Sequence, residues 1–69
     1  MYDVTFWCDG VEKTMPDTFD TFANAIDWAR EGLDYRNVLH RYVYDEAMVM
    51  DATDYSAMFV TRENVSAMF

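Results

Sequence analysis

Cysteine, histidine and proline occur once each in this chain, glycine twice and basic side chains five times. Each shortage closes a class of structure or chemistry. With Cys8 alone there is no intramolecular disulfide, and with only His40 beside it no zinc-finger ligand set can be assembled. Two glycines cannot build a phosphate-cradling loop of the P-loop or dinucleotide-binding kind. Five Lys and Arg against thirteen Asp and Glu give a net charge of −8. That field repels the phosphates of DNA and RNA and anionic membrane surfaces. No apolar run approaches the ~20 residues that span a bilayer, and "MYDVTFWCDG" has acids where a signal peptide carries its basic region. A cytoplasmic chain is expected, with no membrane, no direct nucleic acid, no metal and no cofactor.

What the chain does have is apolar surface. Half of it (52%) is hydrophobic, with twelve aromatic residues and six methionines among 69 residues. Acidic disordered segments lack such residues, so a folded unit is expected, a single domain over 1–69. A domain of this size buries only about 60% of the surface its unfolded chain exposes. Some apolar surface therefore stays outside, and exposed apolar patches mark interfaces. Methionine suits such a surface because its side chain adapts to the partner's shape.

The pattern of residues predicts an α+β fold: a four- or five-stranded, mainly antiparallel sheet, with one helix packed on one face and a short C-terminal helix as a further possibility. Tyr2, Val4, Phe6 and Cys8 alternate with Asp3, Thr5, Trp7 and Asp9, the period of a half-buried strand. Asp9-Gly10 is a two-residue turn signal that pairs Cys8 with Val11 and puts Met15 and Lys13 on the inward face; Pro16 is expected to end the second strand. The helix is expected at 21–31, with Asp20 as N-cap, Gly32 closing a left-handed C-terminal cap and Leu33 packing back toward Trp28. Phe22, Ala25, Ile26 and Ala29 fall on its buried side.

Beyond it, "VLHRYVYDEAMVMDAT" is rich in β-branched and aromatic residues and predicts strands near 38–45 and 47–53, joined at Asp45-Glu46. The last stretch has two readings. Either "YSAMFVT" is a strand and Thr61 caps a helix over 62–68, or a single helix runs from Asp54. The tetrapeptide SAMF occurs twice, ten residues apart, which is no solenoid period. Val65, Met68 and Phe69 are apolar and should pack on the sheet or meet a partner.

Catalytic chemistry finds little support in these residues. A Cys8–His40 pair lacks an activating neighbour, since the Asp9 carboxylate opposes a thiolate, and no third residue orients the imidazole. Cys8 is instead a small core residue beside Phe6. With thirteen acids, some carboxylate pair falls at any chosen spacing, so no acid/base pair is specific. "DATD" at 51–54 lacks the glycine and terminal glutamate of a calcium loop.

The distinctive feature is an acidic stripe. Asp20, Asp27 and Glu31 are expected on the solvent side of the helix, with Asp34 just past its end. Asp27 and Glu31, four apart, repel each other, and Glu31 opposes the helix dipole. Trp7 and Trp28 are expected as exposed aromatic anchors beside the stripe. Small size, strong acidity and surplus aromatics resemble, in general style, the phage-encoded inhibitors of the anti-CRISPR and antirestriction kind. The resemblance implies a non-enzymatic module that blocks a basic protein surface, in a nucleic-acid-handling complex of the host cytoplasm, by imitating a row of phosphates. The alternative is a structural or regulatory homodimer that uses an apolar sheet face or the C-terminal tail.

Overall fold

The first eighteen residues after Met1 form a hairpin. Strand β1 (Tyr2–Cys8) turns at Asp9-Gly10 into β2 (Val11–Phe19). Both turn residues have positive φ, 51° and 79°, and Cys8 pairs with Val11, the two-residue turn that the Asp-Gly pair predicts. Pro16 does not end β2, contrary to expectation. The pairing shifts register between Asp3 and Thr5, so the extra residues bulge around Pro16 and pairing resumes at Thr18 and Phe19. Proline is tolerated there because β2 is an edge strand, where a missing N–H breaks no outer ladder.

A computed structural model describes residues 1–65 of the chain. After the hairpin come α1 (Phe22–Asp34), β3 (Glu46–Asp51), β4 (Ala57–Val60) and α2 (Arg62–Val65). The sheet order is β2-β1-β3-β4 with every neighbour antiparallel. Strands β2 and β3 therefore run the same way on either side of β1, and the link between them must cross one face of β1. Helix α1 is that crossover.

One face of the sheet and one stripe of α1 make the core: Val4, Phe6, Ala47, Val49 and Val60 against Ala25, Ile26, Ala29 and Leu33, with Val65 of α2 at the edge. The buried helix side agrees with the sequence pattern, except that Phe22 at its start is still 36% exposed. The contact stripe is made of small residues, Ala25, Ala29 and Gly32, which let the helix backbone sit close to the sheet.

Three details at the ends of α1 differ from expectation. The N-cap is Thr21, whose hydroxyl accepts from the Asn24 backbone N–H at 3.1 Å, and Asp20 is an exposed residue before it. The helix runs on to Asp34, and Tyr35 is the C-cap. Gly32 is thus an interior helical residue, where glycine costs about 1 kcal/mol relative to alanine. Its reason is steric. A Cβ on Gly32 would lie 2.3 Å and 2.4 Å from two carbons of the Phe6 ring. Phe6 is only 1% exposed and stacks on Tyr44 at 4.6 Å between ring centres, so its ring has nowhere to swing. Leu33, expected to pack back toward Trp28, is fully buried in the core cluster, of which Trp28 is no part.

The expected strand at 38–45 is an arm. Tyr35 to Asp45 leaves the helix and returns with a single bridge, Arg36 to Tyr42. Asn37 organises the tip: its side-chain oxygen accepts from the N–H groups of Leu39 (2.9 Å) and Arg41 (3.2 Å), and His40 takes a positive φ of 59°. Asparagine satisfying the backbone locally outweighs the β-propensity of its apolar neighbours. The next strand is Glu46–Asp51, so Asp45-Glu46 is an entry to β3 and no turn.

The strand-then-helix reading holds for the C-terminal part. Thr61 caps α2 reciprocally with Asn64: Asn64 N–H donates to the Thr61 hydroxyl (3.3 Å), and Thr61 N–H donates to the Asn64 side-chain oxygen (2.8 Å). Val65 is buried as expected; Met68 and Phe69 lie outside the described residues.

Replacing Gly32 by alanine is expected to lower stability by about 1–2 kcal/mol, because overpacking against Phe6 exceeds the gain in helix propensity. Urea unfolding of the variant against Ala23→Gly, at an exposed helical position, checks it; a stabilised Gly32→Ala chain would contradict the close approach.

Candidate functional site

The acidic side of α1 is real but shorter than the sequence suggests. Asn24, Asp27, Glu31 and Asp34 recur at three- and four-residue steps and are all exposed. Asp20 belongs to the segment before the N-cap, so it sits at the opposite end of a helix about 20 Å long from Asp34. The stripe also carries a cation. Arg30 approaches Asp27 at 4.0 Å and donates to the Val65 carbonyl at 3.4 Å, tying α1 to α2. Among the described residues no basic side chain pairs with Glu31.

The two tryptophans lie on opposite sides of the sheet. Trp7 alternates out of the core with Asp3 and Thr5; it pairs in register with Glu12 on one side and Glu46 on the other. Its ring lies 5.9 Å from Phe59. Met48 pairs with both Thr5 and Phe59 on this face, which α1 does not cover. Thr5 is buried there and shares a hydrogen bond with Thr14 at 3.1 Å. Trp28 is on the helix side, 41% exposed, with Phe19 5.8 Å away. No flat partner surface touches both anchors at once.

What the fold does bring together is Trp28 with Glu31. Trp28, Glu31, Gly32 and Tyr35 follow one another at helical spacing along one stripe of α1. With Phe6, Met15 and Tyr44 they line an open cavity of about 390 Å³. At Gly32 the Phe6 ring fills the place of the missing side chain, and the stacked Phe6 and Tyr44 rings line the cavity there. Among the described residues Glu31 is the single acidic or basic residue in the lining. A second cavity of about 290 Å³ lies at the other end of the helix, between Tyr2, Phe22, Asp51 and Met58.

Both ends of the 35–45 arm meet at the first cavity, since Tyr35 and Tyr44 line it. Arg62 fixes this junction. Its Nε donates to the Leu33 carbonyl at 2.9 Å, and its Nη2 donates to the Tyr44 carbonyl. Its guanidinium lies 3.7 Å from the centre of the Tyr42 ring, whose hydroxyl accepts from Arg36 at 2.8 Å. One side chain thereby satisfies a carbonyl at the C-terminus of α1, holds the arm and stacks on an aromatic, which lysine cannot do. The arm's tip is apolar and outward: Val38 is 94% and Leu39 67% exposed. Pattern reasoning missed both residues because a run of Val, Leu, Tyr and Val reads as a strand; Asn37 was the local turn signal.

The acids at 51–54 have a structural use. Asp51 accepts from the Thr53 N–H (2.8 Å) and Asp54 from the Ser56 N–H (2.9 Å), shaping the β3–β4 turn. The Ser56 backbone N–H, and then its hydroxyl, hold the Asp54 carboxyl below the ordinary carboxylate value. Its support for the turn is therefore present above that ordinary value and fades as pH falls through the lowered one. Among the described residues no group of three His, Cys, Asp or Glu side chains could hold a metal ion. No helix among them is long and apolar enough to cross a membrane.

No protein-family model, no curated protein and no solved structure matches the chain.

Changing Arg62 to lysine is expected to cost about 1–3 kcal/mol, because buried carbonyls lose charge-assisted donors. Amide exchange at His40 and Val43, in the arm, should quicken more than at Val4 in β1. Equal protection in both variants would show that Arg62 does not hold the arm.

Proposed function

We propose that this chain is a non-enzymatic protein-binding module whose partner presents a basic surface. The observation that carries the proposal is the combination of a net charge of −8 with an exposed acidic helix stripe bordering an aromatic cavity and an apolar arm tip. Carboxylates at Asp27, Glu31 and Asp34 supply long-range attraction and speed encounter. Aromatic and aliphatic surface at Trp28, Tyr35, Val38 and Leu39 supplies the desolvated contact that charge alone lacks. A basic surface of this kind belongs to proteins that handle nucleic acid, and occupying it in place of the phosphates would make the chain an inhibitor in the manner of anti-CRISPR and antirestriction proteins, working in the cytoplasm of a host cell.

The homodimer reading rests on the outer sheet face, where Trp7, Met48 and Phe59 lie uncovered. It is disfavoured because Asp3, Glu12 and Glu46 share that face. A two-fold pairing would set these acids against their own copies, in a chain already strongly negative.

Affinity capture from the native host tests the proposal. The expected partner is basic, is retained at low salt and released at high salt, and is lost with the Asp27→Lys/Asp34→Lys chain while the fold is kept. A partner bound equally by wild type and charge reversal, or a chain that sediments as a tight dimer and captures nothing, would overturn it.

A further inference from the structure

We infer that the cavity beside Gly32 is a cation-binding pocket that takes the side chain of an arginine from the partner protein; this rests on the proposed function and assigns it a site. The lining is aromatic on three sides. Trp28 and Tyr35 stand about two turns apart on one helical stripe, on either side of Gly32, Tyr44 lines the side toward the arm, and Phe6 lies beneath at Gly32. Aromatic faces attract cations through the negative centre of the ring, most strongly from tryptophan and most often toward arginine. The volume, about 390 Å³, is at the lower end of the range for small-ligand clefts, roughly 300–1,000 Å³.

Charge complementarity selects the occupant. Among the described residues Glu31 is the only acidic or basic residue in the lining, and no basic side chain pairs with it. A neutral apolar occupant would leave that carboxylate partly desolvated against nothing, whereas a guanidinium satisfies it while lying flat on the rings. The chain already builds this arrangement internally. Arg62 and Arg36 sit 3.7 Å and 4.6 Å from the Tyr42 ring centre, on the same arm. Both of these are committed there, and Lys13, which pairs with Phe6 across the hairpin, does not line the cavity. A carboxylate and an indole on one helical face also explain Glu31, a residue that opposes the dipole at the C-terminal end of α1.

The probe is a capped Gly-Arg-Gly peptide, titrated into the isotopically labelled full chain and followed by amide and indole NMR shifts. The expected result is a millimolar complex with shifts centred on the Trp28 indole, Gly32 and Tyr35. The same peptide with citrulline, equal in shape but uncharged, should bind about tenfold more weakly. Trp28→Ala should abolish the response, and Glu31→Gln should weaken it severalfold, each with the remaining spectrum unchanged. Should Trp28→Ala fail to fold, Tyr35→Ala takes its place.

Equal affinity for the arginine and citrulline peptides, no response to either, or shifts scattered over all acidic surfaces would overturn the pocket. Tetramethylammonium binding more tightly than the arginine peptide would overturn it too, by assigning the cavity to a free quaternary ammonium ion. The titration needs no partner and does not involve Asp27 or Asp34, so its failure is separable from that of the proposed function.

Discussion

The contact between the Phe6 ring and the backbone of Gly32 is the constraint on which the rest of this structure depends. A domain of 69 residues has little core to spend, and its helix must lie near the sheet to close what there is. Alanine at positions 25 and 29 narrows the gap, and glycine at 32 narrows it further at the end where the largest core side chain stands. The tip of the ring abuts the helix at Gly32, and one face lies on Tyr44. Tyr44 in turn begins the path into β3, so the same stack decides where the arm returns. Arg62 locks that return from the other side, through the Leu33 and Tyr44 carbonyls.

This economy has a consequence for the surface. At Gly32 the Phe6 ring fills the place of a side chain, and Trp28 and Tyr35 on either side of that contact remain partly exposed. Glycine in mid-helix weakens the helix but admits the ring, whereas exposed tryptophan adds nothing to the core, and its cost has a return only if the cavity matters. The acids are distributed on both sides of the sheet, so charge alone does not choose a binding face. The cavity and the two ends of the arm meet at the C-terminal end of α1, beside Glu31, and the proposed binding face rests on that meeting.

The sequence showed the architecture well and its punctuation less well. Strict alternation in β1, the Asp-Gly turn and the apolar stripe of α1 were legible because each is a local pattern with one geometric solution. Pro16, Asp20 and Gly32 depart from expectation for one reason: local preference points one way at each, and neighbours in space decide the outcome. Pro16 is absorbed by an edge bulge, Thr21 displaces Asp20 as cap, and Gly32 answers to Phe6, twenty-six residues earlier. The candidate site was half visible. Trp28 and Glu31 read in the sequence as separate features, an anchor and a charge, although their spacing with Gly32 and Tyr35 places all four on one stripe. Trp7 carried the same chemical signal as Trp28, and only the sheet's facing separates them.

The most direct test of this account is the proton NMR environment of Gly32. The approach of the Phe6 ring tip to the helix backbone predicts strong cross-relaxation between the Phe6 ring protons and the Gly32 α-protons. The absence of any cross-peak between Phe6 and Gly32 would contradict the close approach and with it the floor of the cavity.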